Sequence, residues 1–222
     1  MEVVLDTVVG IGIAKAGYSM EKETGRLEAF SDGVFAIAIT LLILEIRVPV
    51  LQVIDNRSML AALAGLWPSF LTFALSFFVV LIIWINHHEL FRMVQGVDRP
   101  LLFANGALLL MVTFVPFPTA LLARYIGTPA ASTAVAFYCG TFFVTSLCHS
   151  VLLESIAHNR RRLRADIGNH EISRLRLVYR TGLLVYLIST FVAVWSPMFG
   201  LLITVVLWVV WATLRYDSPA RH

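Results

Sequence analysis

Charged residues are scarce in this chain. Only 14% of the 222 residues are charged, whereas about a quarter are charged in a typical soluble domain. Hydrophobic residues make up 59% of the chain, and the mean hydropathy is +0.82. This composition excludes an ordinary soluble protein and predicts an integral membrane protein.

Cysteine is also rare, with only Cys139 and Cys148 present. Nine residues separate them, which corresponds to about 13 Å along a helix and is beyond the reach of a disulfide. Neither belongs to a metal-ligand spacing, and the adjacent His87, His88 and Glu89 point in different directions on a helix. We therefore expect no metal and no other cofactor.

The apolar residues form continuous runs. They do not alternate with polar residues, as the strands of a membrane barrel require. The run lengths instead predict an all-α integral membrane protein with six transmembrane helices. The predicted helices span residues 29–46, 60–86, 101–122, 133–154, 177–195 and 198–214. The last two follow each other closely and predict a helical hairpin.

The predicted six-helix domain covers residues 24–216, with a short tail at 217–222. Residues 1–23 are only mildly apolar and contain Asp6 and Lys15, so they are too weak to span a membrane. Met20 precedes a charged Glu-Lys-Glu segment and resembles a more natural start. We expect residues 1–23 to be a disordered extension or the product of a misassigned start codon.

Basic residues predict the orientation, because cytoplasmic loops carry an excess of Lys and Arg. With the N-terminus inside, fourteen of the seventeen Lys and Arg residues fall on the inner side, and only Arg47, Arg57 and Arg124 fall outside. We therefore expect a multi-pass protein of the cell inner (plasma) membrane with both termini cytoplasmic. The cluster from Arg160 to Arg164 favours contact with anionic membrane lipids and not with nucleic acid.

The first apolar segment is unusually short. Its uncharged run from Gly33 to Leu44 has twelve residues, or about 18 Å of helix against about 30 Å of bilayer core. On a helical projection, one stripe contains Phe30, Gly33, Ile37, Thr40, Leu41, Leu44 and Val48. Asp32 lies about 140° from Ile37 on the same projection. The helix is thus predicted to have two faces with separate tasks.

An acid near the membrane edge is unfavourable unless it is paired or hydrated. The candidate partners of Asp32 are Arg26 on the same helix and Asn86, His87 and His88 at the inner end of the second helix. A hydrogen-bonded cluster of these groups would fix the first helix against its neighbours. For the apolar stripe, the residues alone leave ordinary helix packing as the simplest interpretation.

The residues Arg26, Phe30, Ser31 and Asp32, followed by the run Gly33–Leu42, resemble the signature of the transmembrane protein 175 family. The Trp84-x-x-His87 neighbourhood is similar as well. The animal member of that family is an endosomal and lysosomal potassium channel with two such repeats. The single motif here resembles the bacterial single-repeat branch, which implies a homotetramer.

The resemblance implies that the first helices of four subunits line a central pore. The family positions match Ile37, Leu41 and Leu44 as a hydrophobic constriction, with Ile37 the narrowest ring, and Thr40 as the residue that sets selectivity. Apolar rings gate by dewetting, and the implied activity is a modestly potassium-selective cation channel. Glu45 is a candidate outer-mouth residue, or an interfacial acid that pairs with Arg47.

Two other function classes remain. A secondary transporter or a proton-conducting membrane carrier is the alternative, although such transporters typically have internal repeats and broken helices. An enzyme is not expected, because no acid, base or metal groups converge on a predicted cavity.

Overall fold

The computed structural model describes residues 23–159 and 162–213. Helix α1 covers residues 23–41 and ends in a 3₁₀ turn, Leu42–Glu45. The following helices are α2 (Asn56–Gly65), α3 (Trp67–Arg92), α4 (Arg99–Phe114), α5 (Pro116–Tyr125), α6 (Ala131–His158), α7 (Asn169–Trp195) and α8 (Pro197–Thr213). Within the described residues, the extended structure is limited to an isolated bridge between Val94 and Leu163.

Five helical stretches in the described residues are long and apolar enough to cross a membrane. They are Glu23–Glu45, Trp67–Arg92, Arg99–Tyr125, Ala131–His158 and Asn169–Trp195. The expected all-α integral membrane fold is therefore confirmed. Helix α8 is shorter, with 17 residues, so a sixth membrane span stays a prediction.

Several helix bounds differ from the predicted ones. The first helix already includes Glu23, six residues before the predicted start at 29. The predicted segment 60–86 is divided at Leu66, because α3 begins at Trp67 with Pro68 in its first turn. Proline suits the start of a helix, where its missing N–H has no partner to lose. Apart from Glu23, the predicted extension at 1–23 lies outside the described residues, as does the tail at 217–222.

Helix α2 begins at a side-chain cap. Asp55 has an extended backbone, and its carboxylate accepts a hydrogen bond of 2.7 Å from the Ser58 backbone N–H. This bond lowers the pKa of the Asp55 carboxyl from its ordinary value. The cap satisfies an N–H that has no partner within the helix.

A proline also divides the third predicted segment, 101–122, as Pro68 does the second. Helix α4 ends at Phe114, and α5 begins at Pro116. A proline cannot donate a backbone hydrogen bond, and its ring displaces the preceding turn. The two helices nevertheless form one continuous apolar stretch, Arg99–Tyr125.

Helix α6 forms the centre of the bundle and packs against α4, α5, α7 and α8. Two aromatic residues of α6, Tyr138 and Phe142, pack against each other and against Trp208 of α8. The Tyr138 and Phe142 ring centroids are 4.9 Å apart, and Phe142 lies 5.4 Å from Trp208. Edge-to-face ring pairs of this kind add to the packing energy of their burial.

Helices α7 and α8 form the predicted hairpin. Ser196 is extended between them, and Pro197 starts α8. The hydroxyl of Ser189 donates to the Gly200 carbonyl at 2.6 Å and lies 2.5 Å from the Thr204 hydroxyl oxygen. A close approach at Gly200 allows these contacts, because small residues let membrane helices pack closely.

Two loops meet at one end of the bundle. The Gln95 N–H donates to the Arg162 carbonyl at 2.7 Å, and the Arg164 N–H donates to the Met93 carbonyl at 3.0 Å. Arg162 also forms an ion pair with Asp98. The α3–α4 and α6–α7 loops therefore lie on the same side, the side that the basic residues predict to be cytoplasmic.

We expect Gly200→Ala to destabilise the fold by about 1–3 kcal/mol, the usual cost of overpacking. A Cβ atom at this position would lie 2.6 Å from Ala193 Cβ and 2.8 Å from Ala193 Cα. Gly106→Ala is the matched control, because a Cβ there meets nothing within 4 Å. Thermal unfolding of the purified protein in detergent measures both. Equal melting temperatures for the two variants would contradict the close approach.

Candidate functional site

Helix α1 has one buried face and one uncovered face. Ser31, Phe35, Ala38 and Leu42 are almost fully buried within the chain. On the opposite side, the exposed fractions are 63% for Phe30, 59% for Ile37, 42% for Leu41 and 68% for Leu44. The predicted stripe is thus the surface of α1 that the rest of the chain leaves open.

The 3₁₀ turn at Leu42–Glu45 straightens the end of this stripe. Residues three apart are eclipsed in a 3₁₀ helix, whereas they diverge on an α-helix. Leu44 therefore lies nearly in line with Leu41 along the helix axis. The sequence pattern did not predict the 3₁₀ turn. This turn keeps the apolar residues of the stripe in one row as far as Leu44.

A hydrogen-bonded chain attaches the buried face to two other helices. The Asn105 side chain on α4 donates from Nδ2 to Ser31 Oγ at 2.9 Å, and Ser31 donates to the Leu27 carbonyl at 2.9 Å. Asn105 Oδ1 lies 2.8 Å from His87 Nε2 on α3. Since the amide oxygen only accepts, the His87 proton resides on Nε2. The three side chains thus connect α1, α4 and α3 within the bundle.

Asp32 has a partner that was not among the expected ones. The indole N–H of Trp84 donates to Asp32 Oδ1 at 2.8 Å. Arg26 lies on the exposed side of α1, and no ion pair between Arg26 and Asp32 occurs in the part of the chain that the structure describes. Arg26, the first residue of the motif, therefore does not neutralise Asp32 within the subunit.

The inner end of α1 is held by a further contact. Glu28 Oε1 lies 2.9 Å from His88 Nδ1, and the His88 ring stacks on Trp84 with centroids 5.9 Å apart. His87 packs between Phe35 and Phe91, with centroid distances of 5.3 and 4.3 Å.

The inner end of α3 therefore supplies most of the attachment. Trp84, His87 and His88 each contact α1 or its hydrogen-bonded chain, and Asn86 is buried on the same helix. These four are the predicted motif partners.

Sequence reasoning missed Asn105 and Glu28. Asn105 stands in the otherwise apolar run of α4 and is 1% exposed. An amide in a membrane helix requires a hydrogen-bond partner, so its presence there was a usable signal. Which helix would supply the partner could not be read from the chain, because the order of helix packing was not known.

Thr40 lies on the stripe in the last turn of α1, and Glu45 is the last residue of the 3₁₀ turn that follows. Thr40 is exposed, and its hydroxyl donates to the Ile37 carbonyl at 2.9 Å. Its oxygen lone pairs are thereby left available on the uncovered side. Glu45 is half-buried, and among the described residues no ion pair joins it to Arg47. The described residues contain no cluster of His, Cys, Asp and Glu suited to a metal ion.

We expect Asp32→Ala to lower the stability of the protein by about 1–3 kcal/mol, because it leaves the Trp84 indole N–H without its acceptor. Thermal unfolding and the yield of assembled protein measure the effect. Trp84→Phe should have a similar effect, and the double variant should lose less than the sum, since both changes break one contact. Glu89→Ala is the control, because Glu89 forms only a local pair with Arg92. Fully additive losses would contradict the assigned contact.

Known proteins are similar to this chain in sequence. Residues 26–116 match the family model described as "Endosomal/lysosomal potassium channel TMEM175". A potassium channel of Chamaesiphon minutus is 44% identical over 79% of this chain and 88% of its own length. A potassium channel of Streptomyces collinus is 50% identical over 51% of this chain, and that alignment covers only about half (54%) of the relative.

The fold agrees with a solved structure. The crystal structure of a lysosomal potassium-selective channel TMEM175 homolog from Chamaesiphon minutus superposes with a TM-score of 0.78 and 41% identity. The superposition covers 86% of this chain and 97% of that one. The family resemblance of the Arg26–Asp32 motif is confirmed, and the chain belongs to the transmembrane protein 175 family.

Proposed function

We propose that this protein is a potassium-permeable, modestly potassium-selective cation channel in which four copies surround a central pore lined by α1. One observation carries the proposal. The polar face of α1 is hydrogen-bonded into its own subunit, while its opposite apolar face stays uncovered. Two relatives are named potassium channels, and the matching family model starts within α1, at residue 26.

The uncovered apolar face suits a pore constriction. Four copies of Ile37, Leu41 and Leu44 would form successive apolar rings, and Ile37 would be the narrowest. A narrow apolar ring excludes ions by expelling water, so its diameter determines whether ions pass. The anchoring on the opposite face supports this role, because it holds the helix at a fixed distance from the axis.

Thr40 would contribute weak selectivity. Its hydroxyl proton is directed to the Ile37 carbonyl, which leaves oxygen lone pairs for a cation that has lost part of its water. Potassium gives up water more readily than sodium, so a single oxygen ring favours potassium moderately. A ring of Glu45 carboxylates at the outer mouth would raise the local cation concentration.

The proposed channel lies in the cell inner (plasma) membrane as a homotetramer with both termini cytoplasmic. The positive-inside bias supports this orientation, as does the contact between the arginine-bearing α6–α7 loop and the α3–α4 loop, which Arg92 and Arg99 flank. Helix α8, with 17 residues, would be the sixth span. This length is at the lower limit for crossing a bilayer.

We expect Ile37→Asn and Leu41→Asn to increase potassium flux through liposomes that contain the purified protein, by about tenfold or more. An amide in the constriction keeps the narrow segment hydrated and lowers the barrier to an ion. Ile43→Asn is the matched control, because Ile43 is a half-exposed aliphatic residue next to the stripe and not on it.

Two outcomes would contradict the constriction. Either no flux would appear in any variant, or Ile43→Asn would raise the flux as much as Ile37→Asn. A rate that saturates with concentration, as in a carrier, or flux of protons without potassium would favour the transporter or proton-carrier alternative instead.

We expect Thr40→Ala to reduce the preference for potassium over sodium by about two- to fivefold, because it removes the hydroxyl ring while keeping the backbone and the apolar rings. Reversal potentials under bi-ionic conditions measure the ratio. Thr40→Ser is the control, since it keeps the hydroxyl and should keep most of the preference. An unchanged ratio in Thr40→Ala would exclude Thr40 from selectivity.

A further inference from the structure

A groove with a volume of about 720 Å³ lies on the outside of the bundle between α4, α6 and α7. Its floor is mainly apolar and includes Phe103, Ala107, Val151 and Leu183. Polar groups, among them Glu154 and Arg180, line its other part. None of the residues discussed for the pore belongs to this groove.

The charges in the groove do not balance. Arg176 donates from Nε and Nη2 to the two carboxylate oxygens of Glu154 at 2.8 and 2.6 Å, which neutralises this acid. Arg180 lies one turn further along α7 and is exposed. No salt bridge of the described residues includes Arg180. Arg180 also interacts electrostatically with Glu154, but one carboxylate offsets only one of the two guanidinium groups, so this part of the groove carries one net positive charge.

Arg180 also lies within the predicted membrane span 177–195, near its inner end. It precedes Trp195, the exposed aromatic residue at the outer end of α7, by fifteen residues, or about 23 Å of helix. A hydrocarbon core of about 30 Å measured from Trp195 extends beyond Arg180. A charged side chain at this depth is unfavourable unless it finds a partner or reaches the interface.

The geometry of α7 directs this charge towards the inner headgroups. Side chains on a helix lean towards its N-terminus, and the N-terminus of α7 follows the arginine-bearing α6–α7 loop. A guanidinium group binds a phosphate in a bidentate manner, which a lysine cannot do. A lipid phosphate at the inner end of the groove would give Arg180 an anionic partner and would place its guanidinium at the membrane interface.

We propose that the α4–α6–α7 groove binds an anionic phospholipid of the inner leaflet, with its phosphate on Arg180 and an acyl chain along Phe103, Ala107 and Val151. An anionic headgroup fits because the groove has one net positive charge after the Glu154–Arg176 pair is formed. A zwitterionic lipid brings its own cation next to Arg180 and therefore binds less tightly. The site is separate from the proposed pore and does not depend on ion conduction.

The test uses the purified full-length protein and native mass spectrometry with dioleoyl phosphatidylglycerol or dioleoyl phosphatidylcholine. We expect the wild type to retain phosphatidylglycerol preferentially, and Arg180→Gln to weaken that retention by about tenfold, as for a lost charge-assisted bond. Arg174→Gln is the matched control on the same helix, at an exposed position that does not line the groove. It should retain the lipid like the wild type.

Two further variants keep the proposal testable if Arg180→Gln does not fold. Arg180→Lys should retain an intermediate amount of phosphatidylglycerol, because it keeps the charge without the bidentate geometry. Ala107→Trp should block the acyl-chain path and reduce retention with Arg180 intact.

Equal binding of the two lipids by the wild type would overturn the proposal. So would unchanged binding in Arg180→Gln, or dissociation of the subunits in that variant, which would make the groove a contact between copies.

Discussion

The attachment of the polar face of α1 to α3 and α4 is the constraint on which the orientation of its open apolar face depends. Asp32 accepts from Trp84, and Ser31 connects through Asn105 to His87. Water is absent from the bilayer core, so polar groups near it must find protein partners. These bonds fix both the rotation and the position of α1. As a result, the apolar stripe from Phe30 to Leu44 faces away from the rest of its own subunit.

The same requirement organises the remainder of the bundle. Ser76 contacts Thr119 and Tyr138, and the Trp208 indole N–H donates to the Tyr186 hydroxyl at 2.9 Å. Each bond joins different helices at buried positions. Interhelical hydrogen bonds in membranes are individually modest, but together they select one packing arrangement. A rigid bundle of this kind can hold α1 by one face alone.

Two uncovered surfaces of the chain differ in chemistry. The stripe on α1 is mainly apolar and carries the Thr40 hydroxyl, whereas the α4–α6–α7 groove combines an apolar floor with the Arg180 guanidinium, which forms no salt bridge within the described residues. A mainly apolar row suits the rings of the proposed pore constriction. A cation beside an apolar groove suits an amphipathic molecule with a phosphate. The physical difference between the surfaces supports two different occupants.

The sequence by itself determined the membrane class, most of the helical segments, and the separation of Ser31 and Asp32 from the Ile37 stripe. Hydrophobic run length and helical periodicity are local properties, so they can be read without knowing the fold. Only the tertiary structure decided that Trp84 satisfies Asp32, that Arg26 lies on the open face, and that Asn105 joins the cluster. These partners are 52 to 74 residues apart in the chain. Which of several possible donors reaches an acceptor depends on how the helices pack, and periodicity contains no information about that.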